Sequence, residues 1–486
     1  MVLMTPEQYE KSLRKLNLIV YMFGKQIENV VDNPIIKPSM KAVAKTYELA
    51  QKSEYEDILC AISHITGKKI NRFTHINQSI DDLIKKSKMG RLLGRYTGCC
   101  FQRCVGMDAL NALSIVTFNI DEKYKTNYYK RFLKFLKYVQ ENDLVCDGAM
   151  TDTKGDRSLS PHEQKDPDLF LHVVEEKKDG IIVKGAKAHQ TGAVNSHEIL
   201  VMPAISMKKE DMNYAVSFSL PSDTKGINFV IGRQSCDTRK SEEGSIDVGN
   251  QYYGSHEALI IFDEVFVPWE RVFMYKEYEF VGELVEKFAS YHRQSYACKV
   301  GVGDVLIGAS QTIAEYNGIE KSSHIKDKII EMNHLNETLY CGCIACAVEG
   351  KKEPSGTYSV DTLLANVHKQ NVTRFPYEIS RLAQDIAGGL FVTMPSEKDY
   401  KDKVVGKWLE KYLKGKSDVP TENRIKVIRF IENLTLGSAA VSYLTESMHG
   451  AGSPQAQRIM ISRTVKMDEK QKLAKQLCGI KEDYKR

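Results

Sequence analysis

No stretch of the chain approaches the roughly 18–20 consecutive apolar residues that a membrane-spanning helix needs. The start, "MVLMTPEQYEKSLRKLNLIV", lacks the basic leader, apolar run and small-residue cleavage site of a signal peptide, so the expectation is a cytoplasmic protein. Lys/Arg and Asp/Glu interleave, as in "KSEYED" and "KEYEF". The formal net charge is only +5 over 486 residues, and no basic block marks a nucleic-acid stripe. Internal repeats and low-complexity tracts are absent, and 42% hydrophobic with 27% charged residues argues against a disordered chain. What the chain does have is eleven cysteines, an odd number. In a reducing compartment these point to buried thiols or metal ligands rather than a disulfide framework.

Apolar residues recur at three- and four-residue spacing in "TPEQYEKSLRKL", "MKAVAKTYELAQ", "SIDDLIKKSKMGRLLGRY" and "YYKRFLKFLKYVQEN", which predicts a mostly helical stretch to about residue 145. Thr5-Pro6-Glu7-Gln8 reads as a capping box with Pro at the first helical position. From about Gly148 the texture becomes β-rich. "LFLHVVEEKKDGIIVKGAKAH" predicts a hairpin about Lys178-Asp179-Gly180, and strands continue to about Pro268. Helical patterns return from Glu277. The predicted class is α+β, mainly α. It comprises a helical domain over 1–145, a β-barrel-like domain over 146–275 and a C-terminal helical bundle over 276–486, with clefts between them as cofactor space.

Several stretches carry chemistry. "GRYTGCCFQRCVGMDALNAL" holds Cys99, Cys100 and Cys104. Cys100 and Cys104 stand four apart on a predicted helix, which puts both sulfurs on one face. Such a pair either grips a metal, with two more ligands from elsewhere, or fills a core, where cysteine is common. "SYHRQSYACKVGVGD" gathers His292, Arg293, Tyr296, Cys298 and Lys299; the plain alternative is an amphipathic helix with a solvated face. "LYCGCIACAVEG" also resembles metal spacing, but Cys341 and Cys343 would point to different faces, so helix packing is expected. The loops "GAMTDTKGDR" and "KGAKAHQTGAVNSHE" lack a GxGxxG fingerprint. They set Gly, Thr, Asp, His and Gln at strand ends, where backbone N–H groups can meet a flavin or phosphate, or simply turn the chain. Glu257 heads an apolar strand, as a raised-pKa acid or as a solvated edge residue.

Together "CFQRCVGMDA", "MTDTKGDR", "KAHQTG", "HRQSY", "DIAGGLFVTMPSE" and "TESMHGAGSPQAQRIM" resemble the 4-hydroxybutyryl-CoA dehydratases, a family that also carries vinylacetyl-CoA Δ-isomerase activity. The likeness runs from the first helix to about Met460. More distantly the chain resembles the flavin-dependent 4-hydroxyphenylacetate 3-hydroxylases and the acyl-CoA dehydrogenase fold. The resemblance implies radical dehydration of 4-hydroxybutyryl-CoA to crotonyl-CoA, using FAD and a His-ligated [4Fe–4S] cluster, in a homotetramer. It implies Cys100, Cys104, His292 and Cys298 as cluster ligands. FAD would lie along Met150, Thr151, Asp152, Thr153, Lys154, Gly155, Asp156 and Arg157, and along His189, Gln190, Thr191 and Gly192. His292, Glu257, Tyr296 and Lys299 would handle protons and charge, with Gln102 and Thr191 nearby. "DIAGGL" would reach a neighbouring subunit's FAD.

One departure stands out: the resembled pattern places six residues between the ligand histidine and its cysteine, whereas "HRQSYAC" leaves five. A step of six on a helix falls about 120° away from the starting face. Cys298 as a ligand therefore requires a local bulge or unwinding of the helix, or the cluster is altered, with Cys99 one candidate substitute. The competing readings are a flavin-dependent aromatic hydroxylase, a plain acyl-CoA dehydrogenase, and a non-catalytic iron–sulfur or zinc module, since zinc accepts the same ligands.

Overall fold

In a computed structural model, residues 3–242 and 244–480 are described. Thr5 caps the Pro6–Leu13 helix through a reciprocal capping box with Gln8, as its sequence predicts. The Lys178-Asp179-Gly180 turn also forms, joining His172–Glu176 to Gly180–Thr191 as antiparallel neighbours. The fold is α+β and mainly helical, with helical parts flanking central sheets.

The larger sheet has six strands, in the order Lys25–Ile27, Val20–Met22, Ile227–Ile231, Glu257–Pro268, Gly180–Thr191 and His172–Glu176. The smaller has four: Val272–Tyr275, Val216–Pro221, Glu198–Val201 and Cys146–Ala149. Ala258, Ile260 and Phe262 alternate inward along the Glu257–Pro268 strand, the period-2 pattern of a half-buried sheet. Phe262 meets Phe218 of the smaller sheet edge-on, with ring centroids 6.1 Å apart. The hairpin at 20–27 is an addition to the helical pattern read for the first 145 residues. Its strands are only three residues long, too short to register as a period-2 run.

Two helix features position the site. The Ile80–Thr97 helix crosses the start of the Ala297–Tyr316 helix at glycines. A Cβ on Gly94 would lie 2.4 Å from the Cys298 carbonyl oxygen, and one on Gly301 would lie 2.2 Å from the Arg91 carbonyl oxygen. Only glycine permits this approach. The second feature is a break of the kind that Cys298 as a ligand would require: the Val281–Gln294 helix ends at Ser295, and a new helix starts at Ala297 after Tyr296.

The paired thiols need a correction. Cys100 and Cys104 do not share a helix. The Ile80–Thr97 helix stops at Gly98, a left-handed C-cap with φ of 57°, and the next helix begins at Cys104. Between them Gln102 has φ of 64°, which no α-helix accommodates.

Candidate active site

The Cys99–Arg103 loop is tied to the β-region through Gln102. Its Nε2 reaches the carbonyls of Ser39 and Gly254 at 3.3 Å, and its Oε1 accepts from Asn195 Nδ2 at 3.1 Å. Gly192, with φ of 76°, lies so close that a Cβ there would meet Gln102 Cβ at 2.6 Å. This packing fixes Cys100 in the loop and Cys104 at the first turn of its helix. Cys99 sets its Sγ 3.3 Å from the Gly254 carbonyl oxygen.

Cys104 and Cys298 share an apolar cluster with Phe73, Met89, Leu93, Phe101 and Met107. Cys100 is near enough for its thiol to sense both. Burial pushes the Cys100 and Cys104 thiols well up, and their thiol neighbours push them further. The Cys298 thiol is raised as well, chiefly by burial. Among the described residues no three His, Cys, Asp or Glu side chains close around a single ion. A cubane cluster spreads its ligands over separate irons rather than around one point.

His292 is placed by two rings and a carboxylate. It stacks on Phe288 with centroids 5.6 Å apart, lies edge-on to Tyr296 at 5.5 Å, and sets Nδ1 2.8 Å from Asp108 Oδ2. Asp108 lies one helical turn beyond Cys104. It is fully buried, and it also receives Lys86 Nζ at 2.6 Å and Ser295 Oγ at 2.8 Å. Burial works against its charge, but Lys86 and His292 outweigh that and hold its pKa below the usual carboxylate value. An ionised Asp108 accepts, so Nδ1 of His292 is the donor in this pair.

A second group adjoins the thiols. Lys299 Nζ lies 2.6 Å from Glu446 Oε2. Burial opposes the Lys299 charge, but Glu446 and the thiols of Cys298 and Cys100 overcome it and raise its pKa well above the ordinary value. Thr191 and Glu257 are register partners at the end of the antiparallel pair, and Thr191 Oγ1 donates to Glu257 Oε2 at 2.7 Å. The same hydroxyl reaches Glu446 Oε1 at 3.5 Å. Burial, then the Glu446 charge, raises the Glu257 pKa well above its ordinary value, so Glu257 holds the proton of this carboxyl pair. Tyr296, buried, donates its hydroxyl to the Glu446 carbonyl oxygen at 2.9 Å.

The two β-region loops lie side by side: Ala188 N–H donates to the Thr151 carbonyl at 2.8 Å, and Asp152 bridges to Lys187. Asp152 turns inward, where its Oδ1 takes Lys187 Nζ at 2.7 Å and the Leu171 N–H at 3.1 Å. Lys154 and His189 have φ of 72° and 58°, left-handed backbone that residues with a Cβ rarely adopt. Burial lowers the His189 pKa, and Lys154, His449 and Arg157 lower it further. Sequence reasoning missed two members of the site. Asp108 had a readable signal, since it stands four residues after Cys104 on one helix face. Glu446 stands in the quoted stretch "TESMHG", but only the tertiary fold brings it to Lys299 and so shows its role.

The family described as 4-hydroxyphenylacetate 3-hydroxylase N terminal matches residues 5–274, and its C-terminal counterpart matches residues 281–479. A Clostridium aminobutyricum protein named 4-hydroxybutyryl-CoA dehydratase/vinylacetyl-CoA-Delta-isomerase is 60% identical over 490 residues, covering 99% of this chain and 100% of its own length. A solved oxygen-tolerant archaeal 4-hydroxybutyryl-CoA dehydratase from N. maritimus matches with a TM-score of 0.98 at 57% identity, over 100% of this chain and 97% of that one. The oxygenase component of 4-hydroxyphenylacetate 3-monooxygenase, solved with FAD, shares the fold at a TM-score of 0.84 and 21% identity over 98% of each chain. The chain belongs to the 4-hydroxyphenylacetate 3-hydroxylase family and, within it, to the 4-hydroxybutyryl-CoA dehydratase/vinylacetyl-CoA Δ-isomerase group.

Proposed function

We propose that this enzyme dehydrates 4-hydroxybutyryl-CoA to crotonyl-CoA and isomerises vinylacetyl-CoA to the same product. It is a lyase with isomerase activity. The observation that carries the reading is three buried thiols beside the Lys299–Glu446–Thr191–Glu257 chain, with His292 set against the Tyr296 ring and bonded to Asp108. The hydroxylase relative from Thermus thermophilus is only 24% identical, against 60% for the dehydratase.

Isomerisation takes a proton from C2 and returns one to C4. Dehydration also removes a C3 hydrogen, which the thioester does not acidify, and the C4 hydroxyl. Both reactions need one group that accepts a proton and another that gives one along the same four-carbon chain. His292 Nε2, with Nδ1 held at Asp108, has one lone pair for two uses, so it would accept the proton only while it does not hold iron. Glu257, kept protonated, is the donor. Tyr296 and Thr191 place the Glu446 carboxylate between them, and Lys299 supplies positive charge for an oxygen that becomes anionic.

The donor set fits an iron–sulfur cluster. Cys100, Cys104 and Cys298 are soft ligands in an apolar pocket, and His292 has its second nitrogen fixed by a carboxylate, as metal-bound histidines do. The break at Ser295–Tyr296 answers the five-residue spacing, so Cys298 is kept as the fourth ligand in preference to Cys99. FAD suits the loops at 150–157 and 189–192, where Lys154, Arg157, His189 and His449 offer a basic rim to an anionic group. Once bound, FAD and the cluster supply one-electron chemistry and a Lewis-acidic iron.

The working form in this reading is a cytoplasmic homotetramer. Val392, just after "DIAGGL", and Trp408 and Tyr412 on the Val405–Tyr412 helix are exposed apolar side chains, in keeping with burial by a second subunit. Among the described residues no helix is long and apolar enough to cross a membrane.

The test is anaerobic purification, followed by iron, sulfide and flavin assays and conversion of 4-hydroxybutyryl-CoA. About four irons and one FAD per chain, with crotonyl-CoA formed, is the expected result. A yellow iron-free protein that hydroxylates a phenol, or a colourless zinc protein, overturns it.

A further inference from the structure

Glu446 sits on an unusual piece of backbone. Val441–Thr445 is a π-helix, continued by a single α-helical turn, Glu446–His449. Such π segments concentrate at functional sites. Four carbonyls in and just after this segment accept from side chains. Ser442 O takes Lys299 Nζ at 2.5 Å, and Glu446 O takes the Tyr296 hydroxyl at 2.9 Å. Ser447 O takes Lys369 Nζ, and Ala451 O takes Arg293 Nη2 at 3.1 Å and Nε at 3.2 Å.

Three of these donors come from the stretch 293–299, which also joins His292 to Cys298. The fourth, Lys369, comes from the Thr362–Val372 helix. It is fully buried, lies 4.3 Å from the centre of the Tyr296 ring, and makes no ion pair among the described residues. Burial drives its pKa well down, and the charges of Arg293 and Lys299 drive it further. A lysine is poorly suited to such a place unless its donor serves a purpose there.

The far end of the segment is equally constrained. Ala451 has φ of 54°, a left-handed conformation that alanine seldom enters, and its carbonyl is the one Arg293 holds. A Cβ on Gly450 would lie 2.0 Å from the Tyr296 hydroxyl oxygen. The segment is therefore pressed against Tyr296 as closely as a backbone can be.

We propose that Lys369 is a positioning residue for Glu446: by donating to the Ser447 carbonyl while resting on the Tyr296 ring, it sets the Glu446 carboxylate between Lys299 and the Thr191–Glu257 pair. Its ammonium or amine touches no reacting atom. It fixes the turn that starts at Glu446, which Tyr296 and Lys299 hold from the other side. Gly450 serves the same geometry by leaving room for Tyr296. The proposal rests on the reading above, in which Glu446 takes part in the proton chemistry.

The experiment uses the holoenzyme with Lys369→Met, Lys369→Gln and Gly450→Ala, alongside Glu446→Gln. Amide hydrogen exchange over 441–452 is read together with kcat and KM for crotonyl-CoA formation, and with FAD and iron content. Lys369→Met is expected to speed exchange in 441–452 and leave the 172–191 strands unchanged. It should lower kcat by about 10²-fold, the cost of a carboxylate misplaced by about 1 Å, with KM, FAD and iron at wild-type levels. Gly450→Ala should give the same signature, and Lys369→Gln a weaker one that still reports if Lys369→Met fails to fold. Wild-type kcat in Lys369→Met or Lys369→Gln, or faster exchange spread through the sheets, overturns the proposal. Full activity in Glu446→Gln overturns the reading beneath it. An inactive Glu446→Gln beside a fully active Lys369→Met rejects the positioning role alone.

Discussion

Asp108 and His292 are joined by a 2.8 Å hydrogen bond, although they lie 184 residues apart in the chain. The same carboxylate neutralises Lys86, which is fully buried beside it. One aspartate thus orients the imidazole ring and satisfies a cation that water cannot reach.

Asp108→Asn keeps the shape and removes the charge. A group that orients a metal-bound histidine typically accounts for about 10–100-fold in metal affinity or activity. Iron and sulfide content should fall accordingly in the purified variant. The unpaired Lys86 should also lower stability in denaturant, and adding Lys86→Met should restore stability without restoring iron.

Glu257 gives a prediction in pH. Its folded pKa stands well above the ordinary 4.5, through burial first and the Glu446 charge second. Above pH 4.5 the unfolded chain releases this proton while the folded protein keeps it, so the folded state binds more protons and its stability falls as pH rises. One such proton contributes a slope of at most about 1.4 kcal/mol per pH unit. Glu257→Gln copies the protonated form, and urea titrations between about pH 5 and 7 should show that slope removed. The loss of an acid–base group should lower kcat by about 10²–10⁴-fold.

The helix crossing makes a third prediction. Gly94→Ala would push its new Cβ onto the Cys298 carbonyl, now 2.4 Å from that position, and the overpacking should cost about 1–3 kcal/mol. Because Cys298 moves with its helix, iron content should drop as well. Gly308 lies on the same helix with nothing within 4 Å of its would-be Cβ. Gly308→Ala should raise stability by up to about 1 kcal/mol and leave iron untouched.

Lys187 anchors the 150–157 loop by donating to Asp152 Oδ1 at 2.7 Å, the Met202 carbonyl at 2.8 Å and the Met150 carbonyl at 2.9 Å. Lys187→Met leaves Asp152 buried without its partner, a loss of about 3–5 kcal/mol. Flavin content should fall in parallel. Adding Asp152→Leu should recover most of the stability, measured by thermal unfolding, because the isolated charge is then gone.

The parts of the fold that were legible in the sequence are the local ones. The Thr5 capping box, the turn at Lys178-Asp179-Gly180 and Glu257 at the head of its strand each follow from a few neighbouring residues. With five residues between His292 and Cys298, Cys298 as a ligand requires a break, and the helix is broken at Ser295–Tyr296. The spacing of Cys100 and Cys104 misled because four residues is also the helical repeat; Gly98 and Gln102, both left-handed, were the overlooked stop signals. The roles of Glu446, which stands in the quoted "TESMHG" stretch, and of Lys369 follow only from contacts made across 147 and 78 residues.

The glycine crossing at Gly94 and Gly301 has a consequence for biogenesis. Cys100 and Cys104 emerge from the ribosome long before the helix that carries Cys298, and the two come into register only when those glycines lock together. Until then the early thiols have no partner site. On the proposed ligand set, a site that needs Cys298 exists only after the C-terminal helices have docked, which would make metal loading a late step that reports on completed folding.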